Sequence, residues 1–406
     1  MSDQRLLYTI AFLRSFGTGL IAVVMGIYLS LRELTPSLIG GVVSAGLAGA
    51  AVASCVATFG ADRWGRRRSL ILISALGIAG AIGVALTAHP WLLGGSALVG
   101  MLNGMGRDRG AALILDQAIL AAVSTDRQRT RAYAIYNVVQ DVGHALGSLA
   151  AGLPAFVMAD GHKPTATHLS AYQMTLVGYA ALLLISLAAY ARLSPAVEPP
   201  HGSPGTRVSP GSWRVLGKLS ALFVVDALGG GFLTTTLVSY FFIERFHAAP
   251  TLIAALYFVA RIANAVSHLG AAWLASRIGL VNTMVFTHIP SSLLLVTVAF
   301  APSFPVAAIL FVLRESLVEM DVPTRQSYIM AIVRPEERTI ASGITNLVRM
   351  AAWAAAPGLA GLFMEQSSLA APLIAGASLK IVYDVALYFA FRGIKPPEET
   401  ASTKPG

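Results

Sequence analysis

The stretch GADRWGRRRS, from Gly60 to Ser69, joins two apolar runs and carries four arginines and one aspartate. The flanking runs, residues 37–59 and 69–88, are each about 20 residues long, which is enough to cross a hydrocarbon core as a helix. The glycines permit a tight turn between antiparallel helices, and the arginines can cap helix carbonyls, pair with Asp62 and bind lipid phosphates. The stretch therefore predicts a short charged connection between two membrane-spanning helices.

The composition of the whole chain indicates an integral membrane protein. Of its 406 residues, 55% are hydrophobic and 12% are charged, and the mean hydropathy is +0.68, whereas soluble domains carry about a quarter charged residues. The apolar runs do not alternate as the strands of a membrane β-barrel do, so we expect an all-α fold. The predicted spans are residues 6–31, 37–59, 69–88, 91–123, 129–157, 168–192, 214–243, 250–275, 280–301, 303–333, 338–364 and 368–392.

The sequence gives no indication of a cofactor or of enzymatic chemistry. Its one cysteine, Cys55, lies inside the second span, which excludes a disulfide framework and a cysteine metal site. A phosphate-binding P-loop, a Gly-x-Ser-x-Gly elbow and a His-Glu-x-x-His motif are all missing from the sequence. The first apolar run reaches spanning length without a cleavage site and is expected to be retained. We therefore expect a protein that is not an enzyme and binds neither cofactor nor metal.

The basic residues are distributed unevenly between the two sides of the membrane. Most Lys and Arg lie at the termini, in the connections after even-numbered spans or at the span ends that adjoin them, whereas Arg32, Lys163 and Arg245 lie in the opposite connections. This asymmetry predicts that both termini are cytoplasmic, in a multi-pass protein of the cell (cytoplasmic) membrane. It also accounts for the net charge of +9 without a nucleic-acid partner, and the basic loop is expected to contact membrane lipids.

A linker rich in Pro, Gly and Ser, residues 194–213, divides the predicted spans six to six. We expect an amino-terminal six-helix bundle at residues 1–193, a cytoplasmic linker, a carboxyl-terminal six-helix bundle at residues 214–392 and a disordered cytoplasmic tail at residues 393–406.

Polar landmarks recur between the two halves at nearly fixed offsets. RSFGTG, from Arg14, matches DALGGG, from Asp226, at an offset of 212, and DQAILAAVSTDRQRT, from Asp116, matches RQSYIMAIVRPEERT, from Arg325, at an offset of 209. A third match, TPSLIGG with APTLIAA, lies between them. The halves are therefore predicted to be a duplicated six-helix unit with pseudo-twofold symmetry.

The stretch GADRWGRRRS resembles the signature loop of the major facilitator superfamily, whose pattern is roughly G-x-L-A-D-R-x-G-R-R-R. Thr58 stands in place of the leading glycine and Gly60 in place of the leucine. The residues that match the pattern are Asp62, Arg63, Gly65, Arg66, Arg67 and Arg68. The resemblance implies two six-helix bundles, secondary transport by alternating access, and a loop that stabilises the outward-facing state. The drug-proton antiporter branch is resembled only loosely, because Gly100 replaces its arginine and His144 replaces its proline.

Charged side chains inside the predicted spans are concentrated on a few of them. Outside the first and last five residues of the spans, eight basic and eight acidic residues remain, and this balance predicts ion pairs because an unpaired charge at membrane depth costs at least ~2.5 kcal/mol. Eleven lie on the first, fourth, seventh and tenth spans, which line the central cavity in the resembled superfamily: Arg14, Arg107, Asp108, Arg109, Asp116, Asp226, Arg314, Glu315, Glu319, Asp321 and Arg325. All but Arg107 and Asp108, together with Asp141 and His144, are the candidate residues of a substrate and proton cavity.

Helical spacing predicts which of these residues share a face. On the fourth span, Arg109 and Asp116 point the same way, and Arg107 and Asp108 point elsewhere. The tenth span, which Pro323 is expected to kink, carries its charges on two adjacent stripes. These stripes are Arg314, Asp321 and Arg325, and beside them Glu315 and Glu319.

Two matched positions of the repeat carry opposite charges, Arg14 with Asp226 and Asp116 with Arg325. One interpretation is that one or both are ion pairs between the bundles, which form in one access state and break in the other when the carboxylate is protonated. The alternative is that each charge pairs within its own bundle.

The twelfth span carries two further charges, Lys380 and Asp384. Their i, i+4 spacing predicts a pair on one face, and we expect a local structural or oligomer contact there rather than a role in transport.

These observations predict a monomeric secondary transporter that exports a small organic solute in exchange for protons. An organic anion, such as a sugar phosphate or a carboxylate, taken up or exchanged with protons is the alternative within transport. A membrane sensor or scaffold that transports nothing is the alternative from another class.

Overall fold

A computed structural model describes residues 2–108, 110–123, 126–157, 168–198, 210–322, 324–325, 328 and 338–392. Over these ranges the chain is helical and has no β-strand. The helices are α1 (Asp3–Leu31), α2 (Pro36–Trp64), α3 (Arg66–Leu86), α4 (Pro90–Gly100), α5 (Ala111–Val123), α6 (Asp126–Ala150), α7 (Leu153–Val157), α8 (Leu169–Tyr190), α9 (Pro210–Gly231), α10 (Thr235–Phe246), α11 (Pro250–Ile278), α12 (Leu280–Ala299), α13 (Phe304–Val318), α14 (Arg338–Gln366) and α15 (Ala371–Phe391).

Nine helical segments within the described ranges are long and apolar enough to cross a membrane. They confirm the all-α membrane fold. The segments are Asp3–Leu31, Pro36–Ala61, Arg66–Leu86, Leu169–Tyr190, Trp213–Phe246, Pro250–Ala275, Leu280–Ala299, Gly343–Gln366 and Ala371–Phe391. The fourth, fifth and tenth predicted spans are not among them, so the number twelve stays a prediction.

The fourth predicted span is not one helix. Helix α4 ends at Gly100, the next residue, Met101, has a left-handed backbone, and α5 begins at Ala111. Glycines recur in the unwound segment, which the structure describes over residues 101–108 and 110, and the Asn103 side chain replaces helical hydrogen bonds by accepting from the Met105 N–H at 2.8 Å. The helical spacing behind the predicted shared face of Arg109 and Asp116 does not apply, because α5 begins only at Ala111. Arg109 itself lies outside the described residues, so the shared face stays a prediction.

Two further predicted spans are also interrupted. In the seventh, α9 ends at Gly231 and α10 begins at Thr235, with the Thr234 hydroxyl accepting from the Leu237 N–H. In the tenth, α13 already ends at Val318, and the predicted kink at Pro323 lies outside the described residues. Unwound backbone at membrane depth is tolerated where it is buried in protein or lines a cavity, and broken helices form the binding sites of many transporters.

The described residues divide into two compact units. The first takes those within Met1–Ser203, Leu233–Phe258 and Trp353–Leu369, and the second takes those within Pro204–Phe232, Val259–Ala352 and Ala370–Gly406. Each unit has its own apolar core. Two segments of the carboxyl-terminal half thus group with the amino-terminal half, and the predicted boundaries at residues 193 and 214 stay a prediction.

Candidate functional site

The first unit contains a buried ionic cluster, the Arg14 cluster. It consists of Arg14 on α1, Asp108 before α5, Asp116 on α5, Tyr136 on α6 and Tyr190 on α8. The guanidinium donates from Nε to Asp108 Oδ2 at 2.6 Å and from Nη1 to Asp116 Oδ2 at 2.7 Å. The hydroxyls of Tyr136 and Tyr190 donate to the Asp116 carboxylate at 2.9 and 3.0 Å. Asp116, which has no exposed surface, therefore has one cation and two hydroxyls as partners.

Two carboxylates share one guanidinium in this cluster. When Asp108 and Asp116 are both ionised, the five side chains carry one more negative charge than positive. Excess charge is costly in a buried site, and a proton on either carboxylate removes it. The cluster is therefore chemically suited to bind one proton reversibly.

Asp108 connects the cluster to the unwound segment and to α6. Its backbone N–H donates to His144 Nε2 at 3.0 Å. Because a backbone N–H can only donate, Nε2 of His144 carries no proton in this conformation. Protonation of His144 at Nε2 would break this contact. The sequence pattern missed Asp108, because on a continuous helix it would point away from Asp116.

The second unit contains a corresponding cluster, the Asp226 cluster. It consists of Asp226 on α9, Asp321 and Arg325 after α13, Arg349 on α14 and Lys380 on α15. Asp226 accepts from Arg349 Nη1 at 3.0 Å and from Lys380 Nζ at 2.9 Å, and its Oδ2 lies 3.5 Å from Arg325 Nη1. Arg325 also pairs with Asp321, four residues earlier. One carboxylate is thus shared by three cations.

The two clusters occupy matched positions of the sequence repeat with their charges exchanged. Arg14 pairs with Asp116 in the first half at 2.7 Å, and Asp226 pairs with Arg325 in the second half at 3.5 Å. Each of these four side chains has partners in its own half of the chain. This agrees with the interpretation in which each charge pairs within its own bundle. Ion pairs between the bundles stay a prediction for another access state.

The twelfth predicted span contributes Lys380 to the Asp226 cluster, and His288, on α12, lies beside it. Lys380 and Asp384 are bridged by the imidazole, with Lys380 Nζ 3.2 Å from Nε2 and Asp384 Oδ1 3.0 Å from Nδ1. All three side chains are buried. The expected Lys380–Asp384 pair is therefore corrected, because the imidazole lies between the two side chains and both contact buried groups of the second unit.

The other charges of the tenth predicted span form a separate contact. Arg314 pairs with Glu315, and Glu315 Oε2 accepts from Asn264 Nδ2 at 2.8 Å. The predicted stripe of Arg314, Asp321 and Arg325 is wrong, because α13 ends before the last two residues and they pair with each other.

The remaining predicted site residues lie outside both clusters. Glu319 directly follows α13 and is partly buried, and Asp141 is partly buried on α6. Among the described residues, no group of three or more His, Cys, Asp or Glu is placed to hold a metal ion.

A family model described as Major Facilitator Superfamily matches residues 7–357 and 219–406 of the chain. The chain belongs to the Major Facilitator Superfamily. As a superfamily member it is a multi-pass membrane transporter with a small-molecule substrate, and its family is one of transporters rather than of enzymes.

This superfamily member is similar to known proteins along almost its whole length. It is 26% identical over 429 residues to a Saccharomyces cerevisiae protein described as uncharacterized membrane protein YJR124C, and the match covers 97% of this chain and 94% of the yeast protein. The nucleoside transporter NupG superimposes with a TM-score of 0.73 at 16% identity, over 97% of this chain and 100% of NupG. A D-xylose-proton symporter gives 0.74 at 13% identity, over 95% and 98%. At these identities the structural likeness shows the fold alone.

The signature loop of this superfamily member is anchored within the first unit. Gly65 alone separates α2 from α3, with φ of 97°, a left-handed conformation that favours glycine. The Glu198 carboxylate caps α3 by accepting from the Arg66 N–H at 2.6 Å and the Arg67 N–H at 3.2 Å. Arg63 and Arg68 are exposed.

The Asp62 side chain lies outside the described part of the chain, and the implied role of the loop in stabilising the outward-facing state stays a prediction.

Proposed function

We propose that this transporter couples proton binding at the Arg14 cluster to the transport of a small, polar organic solute without net charge. The observation that carries the proposal is that Asp108 and Asp116 share the one guanidinium of Arg14 in a buried site. Proton-driven carriers need an intramembrane group that gains and loses a proton, and buried carboxylates are suited to this task.

The unwound segment supplies a route from the proton to the contact between the halves. Besides Asp108, the segment contains Gly104, whose carbonyl accepts from the Thr236 N–H of α10 at 3.2 Å. The Thr236 hydroxyl in turn donates to the Ala22 carbonyl of α1 at 2.9 Å. A neutral Asp108 holds Arg14 less strongly, because charge-assisted hydrogen bonds are about twice as strong as neutral ones. Protonation therefore loosens the segment that joins α1 to α10.

A second contact between the halves lies within the same unit, between α2 and α14. A Cβ atom on Gly40 would lie 2.2 Å from the Pro357 carbonyl oxygen, and the Ser44 hydroxyl accepts from the Gly358 N–H at 2.8 Å. The predicted topology puts this contact at the extracellular ends of the helices. Helices packed this closely can separate as rigid elements, as alternating access requires.

The charge balance favours a solute without net charge. Arg14, Arg325 and Arg349 each have an aspartate partner in the same unit, so an anion would compete with a carboxylate for each of them. A nucleoside or a sugar avoids this competition. The organic anion stays the alternative, and export, the direction expected from the sequence, is decided by the assay.

The test uses purified protein in liposomes with an imposed pH gradient. We expect uptake of radiolabelled uridine or xylose against its concentration gradient, and loss of this accumulation when a protonophore is added. Glucose 6-phosphate serves as the anionic comparison, and reversing the gradient gives the direction of coupling. Equal transport with and without the protonophore would contradict proton coupling, and preference for glucose 6-phosphate would contradict the solute class. Transport of none of the three above protein-free liposomes would favour the sensor or scaffold.

A further inference from the structure

The second unit contains ionisable side chains that take no part in the proposed proton binding at the Arg14 cluster. We name His288, Lys380 and Asp384 the His288 triad. His288 is 1% exposed and Asp384 has no exposed surface. The triad contacts the Asp226 cluster through Lys380, whose Nζ lies 2.9 Å from Asp226 Oδ1.

The contacts of the triad indicate which nitrogen of His288 carries the ring proton. Lys380 Nζ and His288 Nε2 lie 3.2 Å apart, and Asp384 Oδ1 lies 3.0 Å from Nδ1 on the other side of the ring. An ammonium group can only donate, so an ammonium on Lys380 requires an unprotonated Nε2, and the ring proton then lies on Nδ1 and is donated to Asp384. An ammonium on Lys380 facing a protonated Nε2 would bring two donors together, and two cations if Nδ1 is protonated as well, which is unfavourable in a buried site.

Asp384 has an open position for one more proton. Its Oδ2 is buried and has no hydrogen-bond partner in the described part of the chain. A buried, unpartnered carboxylate oxygen is costly, and protonation removes the charge that makes it so. The incoming proton therefore binds at Asp384 rather than between His288 and Lys380.

The surrounding groups determine what this proton does. They come from every element that contributes to the site: Asp226 from α9, His288 from α12, Asp321 and Arg325 from the segment after α13, Arg349 from α14, and Lys380, Tyr383 and Asp384 from α15. With His288 neutral, the three carboxylates balance the two guanidinium groups and the ammonium. A neutral Asp384 leaves those three cations with only Asp226 and Asp321 as anions.

We propose that the His288 triad is a second proton-binding site of the transporter, in which a proton on Asp384 weakens, through His288, the support that Lys380 receives from that side and leaves Lys380 more dependent on Asp226. Asp226 matches Arg14 in the repeat, so the proton acts in the second unit on the position that corresponds to the centre of the first cluster. The inference rests on the proposed proton coupling, and it adds a site on α12 and α15, outside the helices that the resemblance assigned to the cavity.

Histidine nitrogen resonances test the inference without any solute. Full-length protein, labelled with 15N in its eight histidines and placed in lipid nanodiscs, is titrated between about pH 5 and pH 8, where histidine environments report protonation. The His288→Gln variant identifies the resonances of His288. We expect an unprotonated Nε2 and a protonated Nδ1 at the upper end, and one titration step at His288 as the pH falls.

The Asp384→Asn variant assigns this step to the carboxylate. Because the asparagine cannot take up the proton, we expect the step at His288 to disappear from this pH range or its midpoint to move by about one pH unit or more, a tenfold change in proton affinity, whereas His89→Asn, an exposed histidine outside the triad, leaves the step unchanged. An Asp384→Asn midpoint equal to that of the wild type would overturn the proposal. A wild-type His288 that is protonated at Nε2 at the upper end, or that does not titrate, would overturn it even if Asp384→Asn fails to fold.

The outcome separates this inference from the proposed function. Proton-driven transport with an inert His288 would remove only the second site. A titrating His288 in a protein whose transport ignores the pH gradient would remove the proton coupling and leave the triad as a proton-binding site without that role.

Discussion

Asp116 is a carboxylate buried at membrane depth, and its partners explain why the position is tolerated. One oxygen faces the Arg14 guanidinium and the Tyr136 hydroxyl, and the other accepts from Tyr190. Each hydroxyl supplies a hydrogen bond that water would otherwise give, so the ionised form has partners without access to solvent. When Asp116 is protonated, one of these hydroxyls can rotate and accept from the new carboxyl O–H.

The Tyr190→Phe change measures this stabilisation. Removing the hydroxyl leaves an Asp116 oxygen short of a donor, and the free energy of unfolding should fall by about 0.6 to 1.7 kcal/mol, the range of hydrogen bonds inside membrane proteins. Reversible unfolding in mixed detergent micelles gives this value. Tyr172→Phe is the matched control, because Tyr172 lies on the same helix and its buried hydroxyl has no hydrogen-bond partner among the described residues. A loss as large for Tyr172→Phe as for Tyr190→Phe would contradict the account.

Residue types were predictable from the sequence, but partners were only partly so. The intramembrane charges and their balance indicated buried pairs, and Arg14, Asp116, Asp226 and Arg325 do lie in such pairs. The role of His288 was not predicted, because a single histidine on an apolar helix gives no signal until the fold places Lys380 and Asp384 on either side of it. The spacing of residues within one helix does not predict which residues of a distant helix they contact.

At the scale of helices, the structure differs from the prediction where a predicted span is interrupted. The apolar run from 91 to 123 has the length of one span, and the hydrophobic pattern alone does not register a break. The break between α4 and α5 leaves backbone groups outside helical hydrogen bonding, and Asn103, His144 and Thr236 satisfy three of them. Gly100 and Gly104 were a local signal for it, since glycine lowers the cost of leaving the helix.

The close approach of α2 and α14 gives a prediction at the scale of elements. A methyl group at Gly40 collides with the Pro357 carbonyl, whereas the neighbouring Gly41 has nothing within 4 Å of its added Cβ. Overpacking of this kind costs roughly 1 to 3 kcal/mol, enough to favour separation of the two helices about fivefold or more. We expect Gly40→Ala, and not Gly41→Ala, to increase thiol labelling of Ser44→Cys in a Cys55→Ser background.

Labelling at Ser44→Cys reports the separation of α2 from α14 directly, because the Ser44 side chain contacts the Gly358 N–H. Equal labelling rates in the two alanine variants would show that this contact does not control access.

At the scale of the whole molecule, the sequence repeat predicted which charged positions of the two halves correspond. The repeat matches Arg14 to Asp226 and Asp116 to Arg325. In the structure Arg14 pairs with Asp116 in the first half, and Asp226 pairs with Arg325 in the second, so the same two positions form an ion pair in each half with the charges exchanged. The superfamily was predictable from the signature loop, whereas the solute was not, because solute recognition depends on the arrangement of side chains and not on a local motif. The charge exchange gives the halves different proton chemistry: two carboxylates on one cation in the first, three cations on one carboxylate in the second.

The most direct test of proton coupling at the Arg14 cluster compares two transport modes of Asp116→Asn, with Glu33→Gln, an exposed carboxylate outside the cluster, as the control. Both use the solute that the liposome assay identifies. We expect Asp116→Asn to retain exchange of labelled for unlabelled solute, which needs no net proton movement, and to lose accumulation driven by the pH gradient, while Glu33→Gln retains both. An Asp116→Asn transporter that still accumulates solute in response to the pH gradient as the wild type does would contradict the account.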